Sequence, residues 1–246
     1  AFECAQKLSE INFSTNLKKI DDYAFVHCDS LKKVEIPDGT VEIGYAFVDC
    51  SSLKYIRLSD SVIKFGGVSG CTNLTEIRLP DSITYVSGFS GCTNLRNVVF
   101  PKNLKVIGEG AFRGCTMLDN VNVPDSVETI GRDAFYNCTS LKSIHLPNSL
   151  NKIADALFYN CTSLQKIILP ENIGVIGSSA FSQCVMLENI MIPSSITNIL
   201  DGAFSGCKSL TSLSIPKSVS IGDRAFENCS ELVGVEFGQG LWAIGD

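Results

Sequence analysis

Residues 111–133 read AFRGCTMLDNVNVPDSVETIGRD, and almost every other stretch of the chain is a variant of these 23 residues. The apolar positions are Phe112, Cys115, Leu118, Val121, Val123, Val127 and Ile130. Only Val121 and Val123 keep the alternation of a strand; the other spacings suit a chain that keeps turning a corner. One such unit cannot enclose a core alone, so it has to stack on copies of itself. The sequence predicts a repeat protein.

Copies begin at Ala1, Ala24, Ala46, Gly67, Gly88, Ala111, Ala134, Leu157, Ala180, Ala203 and Ala225, eleven units of 21 to 23 residues. All eleven cysteines fall in one column: Cys4, Cys28, Cys50, Cys71, Cys92, Cys115, Cys138, Cys161, Cys184, Cys207 and Cys229. All eight prolines fall in another, from Pro37 to Pro216, and ten of the fourteen phenylalanines open the units from Phe2 to Phe226, with Val68 the exception. Composition is therefore a property of the repeat.

Within the units L-x-x-[IV]-x-[LIVF] recurs, as in Leu31-Val34-Ile36 and Leu141-Ile144-Leu146. The last two apolar residues sit two apart, on one face of a short strand. Proline cannot donate to a sheet ladder, so the strand ends there. Two residues later comes a polar column, including Asn16, Ser61, Ser82, Asn103, Ser126, Ser149 and Ser195. Its hydroxyl and amide groups are placed to satisfy backbone groups that the turn buries.

The strand motif and its polar column resemble leucine-rich repeats. The phrase P-x-S-[LIV]-x-x-I-G-x-x-A-F-x-x-C-x-x-L, seen from Pro124 to Leu141 as PDSVETIGRDAFYNCTSL, is similar to the BspA-like or treponemal subclass, and the resemblance covers the full length. Departures are local. Cys4 precedes Leu8 by one residue more than in the other units, and the units 46–66 and 67–87 have only 21 residues. Gly66-Gly67 with Val68 is the weakest copy, where a bend or loosened stack is expected.

The resemblance implies an α/β repeat solenoid occupying residues 1–246 as a single domain. It would be right-handed, with one parallel concave β-sheet of about eleven short strands and irregular or short helical turns on the convex side. At about 4.8 Å per strand the sheet would span roughly 50 Å. Joining Asp246 to Ala1 would give an ordinary repeat junction, and neither Phe2 nor Trp242 lies in a polar cap. The segment therefore reads as part of a longer array, with end-to-end or convex packing in an assembly open to it.

With 20 basic and 26 acidic residues the net charge is −6, which leaves no basic footprint for nucleic acid. No apolar run approaches the length of a membrane span. The cysteines lack the close pairs that metal ligation requires, and a single row cannot converge tetrahedrally on zinc. They read as a buried column of small apolar residues with weak donors, and their odd count leaves at least one thiol free. No metal or cofactor is implied. His27, in the turn before Cys28, reads as a solvated loop residue; His145 points outward from its strand with no acid or nucleophile visibly paired to it, so no enzyme is expected. Asn12, Asn73, Asn137, Asn160 and Asn228 satisfy N-x-[ST], but three of these sequons contain the column cysteine and are simply what the repeat turn reads.

The residues flanking the first apolar residue of each strand should face out. One such column contains Arg57, Arg78, Val99, Asn122, His145, Ile168 and Met191, and the other contains Tyr55 and Glu76. Tyr55, Arg57, Glu76, Arg78, Val99, Asn122, His145, Ile168 and Met191 are the candidate partner-binding residues, with Tyr55, Arg57 and Arg78 forming an arginine and aromatic cluster of the kind favoured at interface hot spots. A wide, shallow, rigid face suits a protein partner better than a small ligand. The resemblance implies a non-enzymatic cell-surface or secreted binding module used in adhesion to host, matrix or neighbouring-cell proteins. The alternatives are a structural scaffold inside a larger, intracellular assembly and a thiol-based sensor.

Overall fold

The computed structural model describes residues 1–240 and 243–246; Trp242 lies outside the described residues. Its local logic is clearest in the unit 111–133. The Cys115 N–H donates to the Phe112 carbonyl and the Leu118 N–H to the Cys115 carbonyl, each at 3.0 Å. These chained turns bring every third side chain inward, and all seven apolar positions of the unit are buried. Gly114 between them has φ 73°, a left-handed conformation that stops the run from becoming a helix. Among the described residues no helix forms, so the expected α/β class and the short helical turns are corrected: the Phe-x-x-Cys-x-x-Leu spacing comes from successive turns.

The position just before the cysteine is left-handed in every unit but the first, at His27, Asp49, Gly70, Gly91, Gly114, Asn137, Asn160, Gln183, Gly206 and Asn228, while in the first unit Cys4 itself takes that conformation. That twist aims the amide of the residue at the next coil: Asn137 donates to the Tyr159 carbonyl at 2.7 Å and Gly114 to that of Tyr136 at 2.8 Å. The phenylalanine two residues earlier does the same, as in Phe135 to Leu157 at 3.0 Å and Phe158 to Ala180 at 2.8 Å. A ladder of amides pointing from each coil to the next thus runs along the turn side.

Two further ladders replace the one sheet expected. The L-x-x-[IV]-x-[LIVF] face carries strands Lys33–Glu35, Tyr55–Arg57, Glu76–Arg78, Asn97–Val99, Asn120–Asn122, Ser143–His145, Ser212–Ile215 and Gly234–Phe237. They are bonded in successive parallel pairs, and units eight and nine keep only a bridge between Lys166 and Asn189. A second edge of the coil carries eleven two-residue strands, from Lys19–Ile20 to Ala243–Ile244, in parallel groups of three, three and five. All but the terminal Ala243–Ile244 contribute one core side chain, such as Ile130 in Thr129–Ile130. Units that turn every few residues leave room for short strands on two sides rather than longer ones on one.

Stacking satisfies the interior. Phe89, Phe112, Phe135, Phe158, Phe181, Phe204 and Phe226 form a continuous row of near-parallel rings 5.2–5.9 Å apart. Beneath them the thiols donate to the carbonyl of an earlier coil's opening residue: Cys138 to Phe112, Cys161 to Phe135 and Cys92 to Val68, all at 3.2 Å. The polar column works between coils as well. Ser126 donates to the Leu104 carbonyl at 2.7 Å and Ser195 to that of Ile173 at 2.6 Å. No described buried side-chain nitrogen or oxygen is left without a partner.

The junction between the two 21-residue units differs from the rest. Both strand ladders lapse there, between Tyr55–Arg57 and Glu76–Arg78 on one face and between Lys64–Phe65 and Tyr85–Val86 on the other. The glycines beside it pack closely on their outer neighbours instead: a Cβ on Gly66 would lie 2.5 Å from the Gly44 carbonyl carbon in the second unit, and one on Gly67 would lie 2.2 Å from the Gly88 oxygen in the fifth. The two short coils are tightly apposed to the coils outside them and poorly bonded to each other.

Candidate binding surface

The three-residue strands on the L-x-x-[IV]-x-[LIVF] face turn their central residue inward and expose the two beside it, as in Tyr55-Ile56-Arg57 and Glu76-Ile77-Arg78, with Val98 half-buried and the terminal strand Gly234–Phe237 exposed throughout. Period-two geometry makes this unavoidable once the central residue is committed to the core. Parallel register then sets equivalent residues side by side: Lys33 with Tyr55, Glu35 with Arg57, Arg78 with Val99 and Asn122 with His145. All nine candidate residues are exposed.

Tyr55, Arg57, Glu76, Arg78 and Val99 line a single depression of about 550 Å³, together with Asn97. A neighbouring hollow of about 510 Å³ is lined by Glu10, Asn12, Lys33 and Glu35 and shares Arg57. The rest of the candidate set lies outside these hollows. Asn122 and His145 sit together farther along the face, while Ile168 and Met191 project almost fully into solvent, 86% and 87% exposed, where the strands give way to the isolated bridge.

One ion pair forms among the charged groups lining these two hollows, and Glu10, Asp38, Arg57, Asp60, Glu76 and Arg78 make none among the described residues. The Lys33 ammonium lies 2.7 Å from a Glu35 carboxylate oxygen and holds that carboxyl below its usual range by hydrogen bond and charge. The same ammonium stands 5.8 Å from the centre of the Tyr55 ring. Among the described residues no carboxylate lies within ion-pair distance of Arg57 or Arg78. Two adjacent guanidinium groups are thus free to bond something else.

Two features were missed in the strand columns. Asp38 and Asp60 reach the rim of the depression from the turns that close their strands; the Pro-Asp and Ser-Asp pairs at 37–38 and 59–60 are the signal that could have found them. His145 has an acid partner after all, with Nε2 3.2 Å from Asp125 Oδ1, brought over from the preceding turn by the stacking. Both side chains are exposed, at 56% and 88%, so the pair is a surface contact. His27 is likewise exposed, 3.8 Å from Asp49. Among the described residues no group of three or more metal-ligating side chains converges, and no helix is long and apolar enough to cross a membrane.

The sequence of the chain matches the BspA type leucine rich repeat region in six copies, over residues 1–117, 86–211 and 197–246. The chain belongs to this family. No protein among the curated sequences matches it. Among solved structures, a leucine-rich repeat protein of Bacteroides ovatus is 32% identical, with a TM-score of 0.86 over all of this chain and 70% of its own. One from Eubacterium ventriosum is 25% identical, with a TM-score of 0.70 over 89% of this chain and 64% of its own. A leucine rich cell surface protein of Faecalibacterium prausnitzii is 28% identical, with a TM-score of 0.55 over 96% of this chain and 67% of its own. BspA type repeats are, as a class, protein-interaction modules, and the face described above is where this one varies while its core repeats.

Proposed function

We propose that this BspA type array is a non-enzymatic adhesion module that binds a host, matrix or neighbouring-cell protein at the cell surface through the face bearing Tyr55, Arg57 and Arg78. The observation that carries the reading is the pair of guanidinium groups without carboxylate partners, set beside an exposed tyrosine over a shallow depression. Arginine and tyrosine are the residues that most often dominate protein interfaces, because each combines apolar area with directed polar groups. The depression is lined by residues from four coils, a breadth that suits a protein surface better than an enclosed small molecule. The cell-surface setting rests on likeness to the Faecalibacterium prausnitzii protein.

The test is binding of the chain to immobilised extracellular-matrix and bacterial surface proteins, beside a variant carrying Tyr55→Ala, Arg57→Ala and Arg78→Ala. The three side chains are exposed, so the variant should melt like the parent while its affinity falls by roughly 30-fold or more. Binding that survives the triple change, or capture only by intracellular assembly components, would move the weight to a scaffold.

A further inference from the structure

Four features coincide between residues 66 and 67. Both strand ladders lapse there, the only junction among the described residues at which they do so together. The phenylalanine row, continuous through Phe2, Phe25 and Phe47, is interrupted by Val68 and resumes at Phe89. The two flanking units are the shortest, at 21 residues each. A single backbone hydrogen bond crosses the junction, from the Asp49 N–H to the Ser69 carbonyl at 2.7 Å. The junction between the fifth and sixth coils, by contrast, has Phe89 to Ala111, Gly91 to Arg113, Glu128 to Lys105 and Gly131 to Ile107, all at 2.7–2.8 Å, besides its strand pair.

Side chains close part of the deficit. Asn73 donates to the Ser51 carbonyl at 2.8 Å, and Cys71 to that of Phe47 at 3.2 Å. Phe65 leans 60° against Phe89 with ring centres 6.1 Å apart, filling some of the space beside Val68. In a linear array stability is a sum of units and nearest-neighbour interfaces, so one poor interface divides it into cooperative segments.

We propose that residues 1–66 and 67–246 are two cooperative blocks, and that the first opens as a unit at the Gly66–Gly67 seam while the second stays folded. The depression on the strand face spans this seam, with Tyr55 and Arg57 on one block and Glu76, Arg78, Asn97 and Val99 on the other. A partner that touches both sides holds the blocks together, and opening of the first block dismantles its site. The seam itself requires no partner.

The cysteine column supplies one probe per coil. Native protein is alkylated with iodoacetamide at neutral pH and each cysteine-containing peptide is quantified by mass spectrometry over time. Cys4 is exposed and serves as the reference for an uncovered coil. Opening at the seam uncovers Cys28, Cys50 and Cys71, the last because its cover is the departing third coil. These three should react at rates within about threefold of one another and at least about tenfold faster than Cys92 and Cys115. A smooth decline from Cys28 to Cys115, a step elsewhere, or one common rate for all interior thiols would overturn the proposal. Val68→Ala, a small truncation of a buried side chain, should speed Cys28, Cys50 and Cys71 several-fold and leave Cys138, Cys161 and Cys184 unchanged. Val127→Ala should produce no such selectivity. Equal acceleration of all thiols by Val68→Ala would also overturn it.

Discussion

Asn137 has φ 60°, and its side chain accepts a 2.5 Å hydrogen bond from the Asn160 amide, one coil on. Glycine, asparagine, aspartate, histidine and glutamine fill this column because its backbone must twist left-handed, which β-branched residues tolerate least. Asn137→Gly should therefore change stability by less than about 1 kcal/mol, while Asn137→Val should cost about 1–3 kcal/mol in denaturant melts. The sequons at Asn137, Asn160 and Asn228 are products of this geometry. The thiols beside them set a pH limit. Burial pushes Cys92 up to about 12 and Cys138 and Cys161 well above the ordinary range. An unfolded thiol titrates near about 8.5, so the folded state holds its protons more tightly than the unfolded one. The contribution is complete below the unfolded value and is lost as pH rises toward the folded one. The melting temperature should fall between about pH 9 and 12, and fall less steeply in a variant with Cys138→Ala, Cys161→Ala and Cys184→Ala.

At the scale of the element, the phenylalanine row shows how position along the stack sets the cost of a change. Phe135 is fully buried, with Phe112 and Phe158 stacked at 5.6 and 5.9 Å, whereas Phe2 is 54% exposed and has a stacked neighbour on one side. Phe135→Ala should cost about 3–5 kcal/mol by equilibrium unfolding, and Phe2→Ala distinctly less. The columns behind these elements were legible in the sequence, because stacking makes each core position recur: all seven apolar residues of 111–133 are buried as read. What the sequence concealed was backbone. Phe112, Cys115 and Leu118 are spaced as on one face of a helix, and only the φ of Gly114 separates a helix from a chain of turns. The second strand edge was hidden because a two-residue strand such as Lys64–Phe65 is too short to show alternation. On the binding face the outward columns followed from period two alone. The Asp125 to His145 contact did not, since it depends on how far one coil is offset from the next.

For the whole molecule, the ladder of amides on the turn side gives that flank an electrical direction, and the second strand edge carries the opposite one, with Gly108 donating back to Val86 and Gly131 back to Ile107. The peptide group joining Ala24 to Phe25 illustrates it: its carbonyl accepts from Phe2 in the first coil and its N–H donates to Ala46 in the third. Phe135 and Asn137 repeat that donation to Leu157 and Tyr159, so the peptide dipoles, about 3.5 D each, point the same way along the stacking axis. In parallel strands successive peptide groups oppose one another and largely cancel; along the turn-side flank the forward-donating groups add, with their positive end toward the C-terminal coils. The two edges of each coil thus carry opposed rows of peptide dipoles, and two arrays lying turn side to turn side are electrostatically better matched when they run in opposite directions.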